Sequence, residues 1–257
     1  MWLNPSRSNR LSSVPSPLAG EGQGEGAPRA STRWIQQLSD NPSLIERDMT
    51  DALLSSAPTA PTIAGRIGPN AIIRMAEAIE RHEGDDAARR MLEAAGLGAY
   101  IAKRPESMVD EREVIRLHKV VRTEYGAARA DLLSRAAGLA TGDYLLANRI
   151  PKPVQAVLKL LPARLAAHVL VSAIGKHAWT FCGSGRFEAA FGPIGSGRLR
   201  LAVIDGPLSR GVRSQTPVCT YYAATFERLF RVLVHRRVTV EEIECQATGG
   251  SACVFEV

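Results

Sequence analysis

Two runs near the C-terminus decide how this chain is read. One is Cys219-Thr220-Tyr221-Tyr222-Ala223-Ala224-Thr225-Phe226; the other is Glu241-Glu242-Ile243-Glu244-Cys245, continued through Gly249-Gly250 to Cys253. Three of the four cysteines of the 257-residue chain lie here, while Cys182 stands apart in Phe181-Cys182-Gly183. Zinc takes four ligands in a tetrahedron and accepts thiolate and carboxylate alike, so the three cysteines and a neighbouring glutamate make a four-ligand set. The first run follows Pro217 and reads as a helix with Cys219 in its first turn, where the positive end of the helix dipole favours a thiolate. Cys245 closes one strand and Cys253 opens the next across the Gly249-Gly250 turn, which brings the two sulfurs close.

Spacing alone leaves the carboxylate open. Glu242 lies three residues before Cys245 and Glu244 one, so a strict strand points either of them to the face opposite the cysteine. A bulge or the start of the turn has to rotate one of them. A second reading needs no metal: three buried cysteines acting as small hydrophobes.

The residues Cys219, Tyr222, Phe226, Leu229, Val234, Val238, Val240, Glu242, Cys245, Gly249, Cys253 and Phe255 resemble the pattern of the vinyl-4-reductase domain, a small-molecule-binding module. That family occurs in phenol-sensing transcriptional activators and in proteins encoded with bacteriochlorophyll biosynthesis. The resemblance implies a zinc held by three cysteines and one glutamate, which fall on Cys219, Glu242, Cys245 and Cys253; it selects Glu242 over Glu244. From about Gly68 onward the chain is similar to the 4-vinyl reductase branch of the family. The resemblance therefore implies a vinyl-bearing magnesium tetrapyrrole, a divinyl chlorophyllide precursor, as ligand, and bacteriochlorophyll pathway enzymes as partners. A homodimer is also admitted.

Outward from this stretch, the period along the chain sorts the rest. Residues 1–66 hold seven prolines, five glycines and ten serines, and Ser16–Gly26 is low in complexity, so they read as a disordered extension with Met49 as an alternative start. Within it Trp34–Leu38 reads as a helical turn. From residue 67 to 257 a single domain is expected, its core motif at about 195–257. Asn70 caps a helix carrying Ile72, Met75, Ala76 and Ile79. Gly84-Asp85-Asp86 opens another that ends at Gly96. Helical faces follow from Val114 to Val121, from Leu132 to about Ala147, at Val154–Leu161, and from Pro162 to Gly175. Then the period falls to two: His177–Phe181, Phe187–Phe191, Leu199–Ile204, Val238–Ile243 and Cys253–Val257 read as strands. The fold class is α+β, a helical bundle packed on an antiparallel sheet of about five strands.

Composition sets the outer bounds. The formal net charge is +6, and residues 1–66 carry six basic and six acidic side chains, so the excess lies in 67–257. A basic balance admits nucleic acid, a membrane surface or an anionic small molecule, but no nucleic-acid-binding motif is present. No run approaches the eighteen apolar residues of a membrane span. The N-terminus lacks the apolar stretch of a secretory signal. The chain reads as cytoplasmic, where cysteines serve as thiols or metal ligands rather than in disulfides.

The dinucleotide fingerprint G-x-G-x-x-G is absent, so the sequence does not support NADPH. Gly183-Ser184-Gly185 and Gly195-Ser196-Gly197 read as hairpin turns. A zinc with four protein ligands is closed and structural. Binding of the pigment is expected of His168 or His177 as magnesium ligand or hydrogen-bond partner, and of Trp179 and Phe181 as stacking surfaces. Arg186, Arg198, Arg200 and Arg213 are candidates for a ligand carboxylate. Catalysis of the vinyl reduction and sensing of small aromatics are the alternative functions.

Overall fold

The computed structural model describes residues 65–193 and 198–257. The extension, its Met49 start, the Trp34–Leu38 turn and the Gly195–Gly197 turn expected from the sequence lie outside them. In chain order the elements are β1 (Arg66–Ile67), α1 (Asn70–Glu83), α2 (Asp85–Ala94), α3 (Ala99–Ala102), β2 (Val109–Asp110), α4 (Glu111–Asn148), α5 (Lys152–Leu160), α6 (Ala163–Lys176), α7 (Trp179–Cys182), β3 (Arg186–Phe191), β4 (Leu199–Ile204), α8 (Thr220–Leu233), β5 (Glu241–Glu244) and β6 (Cys253–Glu256). The fold is α+β.

The sheet is antiparallel, in the order β3-β4-β6-β5, with four strands rather than five. The missing strand is His177–Phe181. Its last residues turn into α7 instead, with the Thr180 amide bonded to the His177 carbonyl at 2.9 Å and the Cys182 amide to that of Ala178 at 2.8 Å. Five residues of apolar alternation fit one helical turn as well as a short strand. Gly183, at φ 60°, then stops the turn in a conformation that favours glycine.

β4 follows the period of two, with Leu199, Leu201 and Val203 buried against the helices. α8 lies beneath the sheet. Phe181, Phe187, Tyr222, Phe226 and Phe255 interlock there, their ring centroids between 5.5 and 6.4 Å apart.

α8 also packs on the second half of α4 at close range. A Cβ on Gly138 would stand 2.3 Å from the Tyr221 carbonyl oxygen, and one on Gly142 2.6 Å from Arg228 Cβ. The Thr141 and Tyr221 hydroxyls meet at 2.7 Å across the same contact. α4 itself is broken at Gly126 (φ 74°), where the sequence expects one helix to end and another to begin. Asp110 caps it by accepting from the Arg112 amide. At α1 the expected cap is displaced by one residue: Pro69 holds the cap position and the Asn70 side chain makes no capping bond.

Candidate functional site

The loop that enters α8 and the hairpin that ends the chain bring four potential ligands together. One ligand atom each of Cys219, Glu242, Cys245 and Cys253 lies within 4.8 Å of all the others. Cys219 Sγ is 3.3 Å from Cys253 Sγ, which is 3.7 Å from Cys245 Sγ. Four metal bonds of about 2.3 Å in a tetrahedron space sulfurs about 3.8 Å apart, so this cluster is close to a zinc cage.

Each ligand arrives by a local feature of the sequence. Cys219 is the residue before α8, at the positive end of the helix dipole. Cys253 begins β6 opposite Val203 of β4. Cys245 follows β5 and leads a tight turn whose Thr248 and Gly250 amides donate to its carbonyl oxygen. Glu242 reaches the cluster through a β-bulge: Glu242 pairs with Phe255 and Glu244 with Val254, leaving Ile243 without an opposite residue. The bulge thus separates the roles of the two glutamates. Glu242 turns inward. Glu244 accepts from the Ser251 amide at 2.8 Å and its hydroxyl at 3.1 Å, and so ties the turn together.

The electrostatics fit a cation. Glu242 Oε2 accepts from the Cys219 amide at 2.7 Å, whereas Oε1 is buried with no hydrogen-bond partner. An orphaned buried carboxylate oxygen costs free energy unless something satisfies it. Burial raises the Glu242 carboxyl to about 8. Contacts with Cys245 and Cys253, together with burial, hold the Cys219 thiol well above its usual range. Contacts from Cys219 and Cys253 pull Cys245 down, so one thiolate forms and its neighbours keep their protons. The Val218 and Gln246 amides face the sulfurs of Cys245 and Cys253. A divalent thiophilic ion would favour the deprotonated form of all four groups and take up Glu242 Oε1.

Residues 199–257 match the vinyl-4-reductase domain. The bacteriochlorophyll synthase 23 kDa chain of Cereibacter sphaeroides is 47% identical over 199 residues, which cover 77% of this chain and 92% of that one. The protein of the same name from Rhodobacter capsulatus is 41% identical over 201 residues, 78% of this chain and 90% of the relative. This chain belongs to that family of vinyl-4-reductase-domain proteins. The domain match begins at β4 and so contains the four candidate ligands, α8 and the closing hairpin.

The residues expected to hold a ligand are not gathered in the same way. His168 of α6 lies flat on Phe191 of β3, with ring centroids 3.6 Å apart. Phe181 points into the aromatic cluster. Trp179 is half-buried on α7. His177 Nδ1 lies 2.9 Å from the Ala173 carbonyl oxygen, which places the ring proton there and leaves Nε2 as an acceptor. Cys182 is fully buried, and burial raises its thiol to about 12; it stands outside the cluster of four.

A cavity of about 210 Å³ opens between α4 and the loop leading to Cys219, lined by His118, Lys119, Arg122, Leu208, Arg213 and Val218 among others. Arg122 Nη2 is bound to Asp131 at 2.5 Å, but its Nη1 is buried without a partner. Of the four arginines suggested by the sequence, Arg213 lines this cavity; Arg186 is paired with Glu188 and Arg200 with Glu256. His118 and Arg122 had no signal in the sequence, since a helix face carrying histidine and arginine is ordinarily solvated.

A buried ion pair secures the frame of the site. Glu111, in the first turn of α4, accepts from the Ser184 amide at 2.8 Å, the Ser184 hydroxyl at 2.7 Å and Arg210 Nη1 at 2.5 Å. Gln246, next to Cys245, clamps Asp205 by two hydrogen bonds, of 2.8 and 3.0 Å. The loop from 205 to 218 is thereby fixed to α4 at one point and to the terminal hairpin at another.

Proposed function

We propose that this protein binds a vinyl-bearing magnesium tetrapyrrole, a divinyl chlorophyllide precursor, and presents it to the enzymes of bacteriochlorophyll synthesis, on a scaffold braced by zinc. The observation that carries the pathway is the 47% identity along 92% of a protein named as a chain of bacteriochlorophyll synthase. Binding rather than chemistry is favoured by the ligand set. Three cysteines and one glutamate fill a tetrahedron, so the zinc has no open position and braces α8 against the β5–β6 hairpin.

In this reading His177 Nε2 is the better placed of the two histidines to meet the pigment magnesium, because the ring face of His168 is taken by Phe191. Arg122, through its unpartnered Nη1, and Arg213 suit a ligand carboxylate. Trp179 offers a stacking surface for a flat macrocycle.

Absorbance spectra of the purified protein mixed with divinyl chlorophyllide, with and without NADPH, test the proposal. The expected result is a band shift on mixing that NADPH leaves unchanged. Progressive conversion to the ethyl product would make the protein a reductase. No shift with the pigment, but binding of small phenols, would make it a sensor-like module.

A further inference from the structure

The formal excess of +6 is concentrated in one segment. Between Tyr144 and Phe187 stand Arg149, Lys152, Lys159, Arg164, Lys176 and Arg186, with no aspartate or glutamate; outside that segment basic and acidic side chains are equal in number.

At its centre lies α5, which is turned partly inside out. Gln155 faces inward and is buried, its amide donating to the carbonyl oxygens of Leu146 at 2.5 Å and Ile150 at 2.8 Å. Leu158 and Val154 anchor the same side. Pro153, Ala156, Val157 and Leu160, spaced i, i+3, i+4 and i+7, form the opposite, exposed side. Leu160 is 85% exposed and Val157 42%. Lys152 and Lys159 border this stripe, with Arg149 just before the helix and Arg164 just after it. Lys152 rests 3.4 Å from the Leu146 carbonyl oxygen, Arg149 lies over the Tyr144 ring, and Arg164 donates to the Gly192 and Pro193 carbonyls. These contacts are to neutral groups, so the four positive charges are not cancelled by carboxylates.

We propose that α5 is a docking surface for an anionic lipid bilayer. Its apolar stripe enters the headgroup boundary while the flanking cations meet lipid phosphates, as in interfacial amphipathic helices. The contact is peripheral, since no helix among the described residues is long and apolar enough to cross a membrane. Charge decides the occupant. A second copy docked through the same face would set like charges against each other, which disfavours a symmetric dimer there. Nothing in this inference depends on the pigment reading.

Cosedimentation of the full chain with phosphatidylglycerol-containing vesicles, and with vesicles of phosphatidylcholine alone, tests it. The expected result is binding to the anionic vesicles only, weakened at least about tenfold by Leu160→Asp, by the double change Lys152→Glu and Lys159→Glu, and by high salt. These side chains are exposed, so both variants should melt where the parent does. Absence of binding, equal binding to phosphatidylcholine, or undiminished binding by both variants would overturn the proposal. So would a dimer that Leu160→Asp dissociates and that ignores vesicles, which would give the face to a second copy.

Discussion

Glu242 and Glu244 lie two residues apart in the sequence and do different work, because Ile243 bulges between them. Glu244→Gln should retain zinc and loosen only the turn, whereas Glu242→Gln should weaken zinc binding, as read by metal analysis after dialysis. Cys245→Ser and Cys253→Ser should abolish stoichiometric zinc. A chelator should lower the melting temperature of the parent but not of these variants, because metal binding is coupled to folding. Full zinc content and unchanged melting in both would remove the metal centre. A second residue-scale test concerns Gly183. Its φ is 60° and a Cβ there would lie 2.0 Å from Glu111 Oε2, so no side chain fits without breaking the Glu111–Arg210 pair. Gly183→Ala should cost on the order of 3 kcal/mol in urea denaturation.

The contact between α4 and α8 shows how an element carries a site. α8 holds Cys219 at its N-terminus, and its position depends on how closely its first turns approach α4 at Gly138 and Gly142. Gly138→Ala would set a Cβ against the Tyr221 carbonyl and push the helices apart. The expected cost is about 2 kcal/mol, together with weaker zinc binding, because the displaced helix takes Cys219 with it. Calorimetry and zinc titration on the same variant check both halves. At this scale the sequence was partly legible. Leu199–Ile204 is the strand its alternation announces. His177–Phe181 was misread because five residues satisfy both periods, and the choice fell to contacts such as the Gly68 amide on the Thr180 carbonyl, more than a hundred residues away in sequence.

Across the whole molecule, α1, α4 and α8 meet at His118. Its Nε2 lies 3.3 Å from the Ala71 carbonyl oxygen, and its ring stands edge-on to Tyr221. Desolvation pushes the imidazole down to about 4, against about 6.5 in an unfolded chain. Between those values the unfolded chain binds the proton and the folded one does not. The stability gained from keeping His118 neutral is thus complete above about pH 6.5 and is lost as the pH falls towards about 4. Denaturation of parent and His118→Gln at pH 7 and pH 5 should show the parent losing more stability on acidification. Equal losses would remove His118 from the acid response.

Read alone, the residues specify the α+β class, the terminal hairpin and the four candidate metal-ligand positions. A helix start, a Gly-Gly turn and a cysteine-glutamate spacing are all written within forty residues of one another. They also require a bulge or turn to rotate a glutamate inward, which the structure places at Ile243. Packing alone settles what joins distant segments: the Glu111–Arg210 pair, the cavity that brings Arg122 to Arg213, and the outward turn of the apolar side of α5. The physical reason is that periodicity records which residues share a face. Which face is covered, and which charge is left unpaired, depends on segments that meet only when the chain has packed.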